Sequence, residues 1–141
     1  MANSTLVELL PEADVAFLKD KHPQATAYSV GDEVHVLFPS FAFPDAYQPR
    51  TADLLVRLPP GYPDARPDMF WTRADVKLTS GAWPQNSEHH EVPGSGAGVE
   101  VYGNVPWQRW SRHTDAAAWR VGVDGLRSFM RSIQQELDLK R

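Results

Sequence analysis

Apolar positions recur at helical spacing near each end of the chain. Towards the C-terminus Leu126, Phe129, Met130, Ile133 and Leu137 fall at intervals that put side chains on one helix face. Asp124 stands where an N-cap belongs, and Lys140 and Arg141 suit the negative end of the helix dipole. Near the N-terminus Val15, Phe17 and Leu18 supply a shorter apolar face. That helix is expected to begin near Pro11, whose missing N–H costs nothing in a first turn, and to stop at Pro23. Glu12 and Asp14 at its start and Lys19 and Lys21 at its end match the dipole.

Between the helices the pattern shortens to that of strands. Residues 27–30 lead through the turn dipeptide Gly31-Asp32 into 33–38, a stretch rich in β-branched side chains. His35 alternates with apolar neighbours there and reads as a half-exposed strand histidine rather than a ligand. Residues 39–50 read as a proline-rich connection carrying Phe41, Phe43 and Tyr47. Residues 51–58 are the clearest strand, ended by Pro59-Pro-Gly-Tyr-Pro63, and 68–72 form another. Short turns join them, which favours an antiparallel meander and an α+β fold.

From Arg73 to Val105 the signals weaken, with Val76-Lys-Leu78 as one short extended piece. Gly94-Ser-Gly-Ala-Gly98 lacks the spacing of a dinucleotide loop and reads as a flexible or tight-turning loop. His89-His90-Glu91 offers metal-type donors, yet adjacent strand residues face opposite sides and no third ligand is suitably spaced. No metal and no cofactor are expected.

Composition narrows the function classes. A chain of 141 residues fits one domain, here with an ordered core of about 11–138, and can bury a core unaided. A net charge of −4 without a basic stripe argues against a nucleic-acid surface. The complete absence of cysteine excludes disulfides, thiolate catalysis and zinc–thiolate sites. No stretch resembles a signal peptide or a membrane span, so a cytoplasmic protein without membrane partners is expected.

The densest chemistry lies at Val105-Pro-Trp-Gln-Arg-Trp-Ser-Arg-His113, followed by Trp119-Arg120. Three of the five tryptophans, Trp107, Trp110 and Trp119, fall here. An indole N–H usually needs a partner, so such density implies an ordered surface over a core. Ser111, His113, Arg109, Arg112 and Asp115 bring a hydroxyl, an imidazole, two guanidiniums and an acid onto it. Residues two apart in an extended segment face the same way, so His113 can take the Ser111 proton while Asp115 orients the ring. His89 or His90 could serve instead. An aromatic loop packed on the next helix is the competing reading.

Leu58-Pro-Pro-Gly-Tyr-Pro-Asp-Ala-Arg-Pro-Asp-Met-Phe-Trp-Thr72 resembles the segment of ubiquitin-conjugating enzymes in which a strand ends at a Tyr-Pro turn and a second proline leads into the next strand. With Trp107-Gln-Arg-Trp-Ser-Arg-His113 and Trp119-Arg-Val-Gly-Val-Asp-Gly-Leu126, the chain is similar to the prokaryotic branch of that superfamily called family E, from about Pro11 to Leu137. The resemblance implies an N-terminal helix, an antiparallel meander, a long active-site loop region and a C-terminal helix. It also implies a nucleophile that accepts a ubiquitin-like modifier from an activating enzyme and passes it to an amine, with a metallopeptidase to remove the modifier.

In those enzymes the nucleophile is a cysteine eight residues before a tryptophan. Trp119 fills the tryptophan position, and Ser111 stands eight residues before it. An oxyester on Ser111 is therefore expected in place of a thioester; the alternative is an inactive variant serving as a binding scaffold. Those enzymes also carry a His-Pro-Asn motif whose asparagine stabilises the oxyanion. Tyr102-Gly-Asn104 keeps only the asparagine, seven residues before Ser111 rather than eight, and a turn asparagine after Gly103 is the competing reading. Trp107, Arg109, Trp110, Arg112 and Trp119 are the expected binding residues. A small hydrolase is disfavoured by the lack of a G-x-S-x-G elbow.

Overall fold

A computed structural model of the chain describes residues 8–94, 102–112 and 118–141. Helix α1 spans Glu12–Lys21 and helix α2 spans Leu126–Asp138. Between them lie β1 (Thr26–Val30), β2 (Glu33–Ala42), β3 (Tyr47–Gln48), β4 (Thr51–Leu58), β5 (Phe70–Thr72), β6 (Lys77–Leu78), β7 (His89–Glu91) and β8 (Trp107–Trp110). A six-stranded antiparallel sheet runs in the order β1-β2-β4-β5-β8-β7, and β3 pairs with β6 beside it.

The expected meander is β1-β2-β4-β5. The tryptophan-rich segment then returns to pair with β5 as an internal strand, and β7 closes on its outer side. The region expected to be a long loop thus supplies two further strands of the main sheet.

Both faces of the sheet are covered. On one, Val36, Phe38, Leu54, Val56, Leu58, Phe70 and Trp110 pack with Val15, Phe17, Leu18 of α1 and Leu126, Phe129, Met130, Ile133, Leu137 of α2. On the other, Val30, Leu55, Trp71 and Trp107 gather around Tyr102. Strands buried on two sides lose the simple polar alternation that marks a one-sided sheet. Among the described residues no helix is long and apolar enough to cross a membrane.

Three expectations change. Strand β2 does not end at residue 38: it runs on to Ala42 through a bulge between Phe38 and Phe41. There Ser40 takes φ 52° and its N–H donates to Asp53 Oδ1 at 3.0 Å. His35 is fully buried, with Nδ1 2.7 Å from the Tyr102 hydroxyl and Nε2 3.0 Å from Glu33 Oε1. Asp124 is not the N-cap of α2. Its carboxylate accepts from the Arg120 N–H at 2.7 Å, closing the preceding turn, and α2 begins after Gly125.

Candidate active site

Strand β8 owes its place inside the sheet to Gln108. That side chain is buried, and its Oε1 accepts from Val76 N at 2.6 Å while its Nε2 donates to Val76 O at 2.9 Å. Thr72 donates to the same Oε1 at 3.0 Å and accepts from Trp110 Nε1 at 3.0 Å. Every member of this buried polar set has a partner, which is the condition for tolerating one in a core.

Past the end of β8 comes Ser111. Phe70 pairs with Trp110 in the β5–β8 ladder, so the next facing pair is Met69 and Ser111. The Ser111 hydroxyl donates to Met69 Sδ at 3.5 Å, and its N–H donates to Asn86 O at 2.8 Å. A thioether is a weak acceptor. The serine proton is therefore held without being committed.

Ser111, Arg109, His89, Glu88 and Asn86 line one open cleft of about 320 Å³. His89 faces Arg109 across the β7–β8 ladder, and Ser111 lies two residues beyond Arg109. Such diagonal neighbours have Cα atoms about 7–8 Å apart, within reach of a ring side chain. His90 faces away and sits 2.7 Å from Asp75 Oδ1, with its ring edge-on to Trp83. The adjacent histidines do point to opposite sides of the strand.

Arg109 forms one wall, and its Nη1 donates to Glu91 Oε1 at 2.8 Å. The other oxygen of Glu91 accepts from Trp71 Nε1 at 3.1 Å. Arg109 Nε and Trp107 Nε1 are buried without a hydrogen-bond partner among the described residues.

Other expected site residues are placed differently. Trp107 and Trp110 are fully buried, so neither ring meets a partner; both are core. Arg112 is buried as well: Nε donates to Gln85 O at 3.0 Å, Nη1 to Glu136 O at 3.1 Å and Nη2 to Arg141 O. It fastens the end of α2 rather than greeting a substrate. Trp119 is half-buried and donates from Nε1 to Pro63 O at 2.9 Å, tying it to the Tyr-Pro turn. Asn104 is exposed and lies before β8, whereas Ser111 follows it. Neighbouring Gly103 sits against Arg73, beyond the opposite end of the β5–β8 ladder from Met69. The two are not brought together. His113 and Asp115 lie outside the described residues, as do residues 95–98 of the glycine-rich turn.

Asn86, Glu88 and Met69 were not anticipated at the site. Nothing local marks them, since a backbone bond between residues 86 and 111 and an antiparallel register put them there. No curated protein and no solved structure gives a significant match. A profile of the prokaryotic E2 family E matches residues 10–140. With that match over nearly its whole length, and a mixed fold of helix, antiparallel sheet and helix that suits it, the chain belongs to the prokaryotic E2 family E.

Proposed function

We propose that the chain is a serine-dependent conjugating enzyme for a ubiquitin-like modifier. The Ser111 oxygen attacks the thioester carbonyl that joins the modifier's C-terminus to the activating enzyme. A base takes the hydroxyl proton, the tetrahedral intermediate collapses, and the activating enzyme's thiolate leaves. An amine then attacks the resulting oxyester, releasing the acceptor as an amide and returning the proton to Ser111. Serine needs that base because its hydroxyl is not ionised near neutrality.

The observation carrying this reading is the state of the Ser111 hydroxyl: it opens on a cleft and is held only by a thioether among the described residues. His89 on the cleft wall and His113 two residues along the chain are the candidate bases. Arg109 supplies positive charge beside the carbonyl that would enter. Family membership supports a modifier and an activating enzyme as partners. The position of Asn104 favours the second reading, a scaffold that binds modifier or activating enzyme without chemistry.

Intact mass after incubation with activating enzyme, modifier and ATP tests the first reading. An adduct should form that survives thiol reductant and is cleaved by hydroxylamine. An undiminished adduct on Ser111→Ala protein would overturn it; binding without any adduct would favour the scaffold.

A further inference from the structure

We infer that Met69 is a methionine-oxidation site that controls the Ser111 nucleophile; this rests on the Ser111 reading above. Met69 faces Ser111 across the continued β5–β8 register, and its sulfur accepts the serine hydroxyl proton at 3.5 Å. The side chain is only partly buried, whereas Met130 is 5 % exposed inside the core. No cysteine competes for oxidant anywhere in the chain.

The reaction needs only a peroxide. The Met69 sulfur attacks one peroxide oxygen, the O–O bond breaks, an S–O bond forms, and the remaining oxygen leaves as water. Sulfur is oxidised by two electrons and the peroxide is reduced by two. The product replaces a weak acceptor with a polar sulfoxide oxygen beside Ser111. That oxygen holds the serine proton by a stronger hydrogen bond but is far too weak a base to remove it. A histidine must then compete for the proton before attack. The added oxygen also makes a side chain polar where it packs against the buried cluster of Val30, Leu55, Trp71, Tyr102 and Trp107. A serine nucleophile, itself indifferent to peroxide, thereby acquires redox sensitivity through its neighbour.

The experiment is single-turnover ester formation by the full chain before and after hydrogen peroxide, with peptide mass locating each added oxygen. Oxidation at Met69 should slow ester formation about fivefold or more, the worth of one net hydrogen bond that must break. Treatment with the pair of methionine sulfoxide reductases should restore the rate. Met69→Leu protein, whatever its own rate, should not change on peroxide treatment. Met69→Gln, which carries an amide oxygen near the sulfoxide position, should be slow from the start, and Met130→Leu should keep the peroxide response. A rate unchanged by stoichiometric Met69 oxidation, or equal slowing of the Met69→Leu protein, overturns the inference while leaving the Ser111 reading intact. No ester before any peroxide is added overturns that reading instead, and this inference with it.

Discussion

The Asp14 carboxylate on α1 caps the first turn of α2, 112 residues away, where Oδ1 accepts from Leu126 N–H at 3.1 Å. Its other oxygen accepts from the Tyr62 hydroxyl at 2.5 Å. One buried acid thus joins α1, the Tyr-Pro turn and α2, and it accepts a first-turn N–H that the N-cap residue Gly125 has no side chain to reach. Replacing Asp14 by Ala should cost about 1–3 kcal/mol, from a lost cap and an orphaned hydroxyl. Chemical denaturation measures it, and a loss under about 0.5 kcal/mol would contradict the assignment.

The same acid carries a pH signature. Burial holds its carboxyl above the ordinary 3.8, against the opposing bonds from Tyr62 and Leu126. With the folded value raised, its favourable contribution is full below 3.8 and disappears as pH rises through the folded value. Stability of the wild type relative to Asp14→Asn should therefore fall with rising pH across that acid range. A difference that stayed flat would show that Asp14 is not desolvated.

His35 should act in the opposite sense. Burial lowers its pKa from 6.5, and the nearby Arg57 charge adds to this, although the Glu33 carboxylate opposes them. Glu33 itself also lies low: burial would raise it, but Arg57 and His35 outweigh that. Stability due to His35 is present above pH 6.5 and lost as pH falls through its depressed value. His22, lowered by burial too, adds to the same window. His35→Gln should flatten the stability–pH curve below 6.5 by its share, with the His22 slope remaining. An unchanged slope would exclude His35 as a contributor.

Gln108→Leu removes the partner of both Val76 backbone groups, at a residue that is fully buried. Each orphaned group costs about 1–3 kcal/mol, so the loss should exceed about 2 kcal/mol. Equal stability would mean that the segment before β6 can rearrange to reach other partners.

Base identity can be read from kinetics. If His89 takes the Ser111 proton, His89→Ala should slow ester formation by about 10²–10⁴ with the fold intact. His113→Ala should do so if His113 is the base. In a Ser111→Cys background the responsible histidine should matter much less, because a thiol ionises more readily. Equal sensitivity of serine and cysteine forms would assign that histidine to shape rather than proton transfer.

What could be read along the chain was what depends on neighbours in sequence. The apolar spacing of Leu126, Phe129, Ile133 and Leu137 located α2, and the run at 51–58 located β4. Trp107-Gln-Arg-Trp110 hid its strand because polar Gln108 is buried, and Val76 and Thr72, 32 and 36 residues away, make that tolerable. His35 misled for the same reason, its partner Tyr102 being 67 residues distant. At the site, Ser111 stood out because of Trp119 and the surrounding tryptophans. Asn86 and Met69 did not, since their approach to Ser111 is made by the sheet.

Glu91 has a spectroscopic use. By bonding Trp71 Nε1 and the Arg109 guanidinium with its two oxygens, it wires an indole deep in the protein to the wall of the serine cleft. A hydrogen bond to a carboxylate moves an indole proton resonance. A ligand that draws Arg109 towards itself should thus shift the Trp71 signal. Trp110 and Trp119, whose N–H groups are held by Thr72 and Pro63, provide stationary references in the same spectrum. Occupancy of the cleft becomes visible without a label.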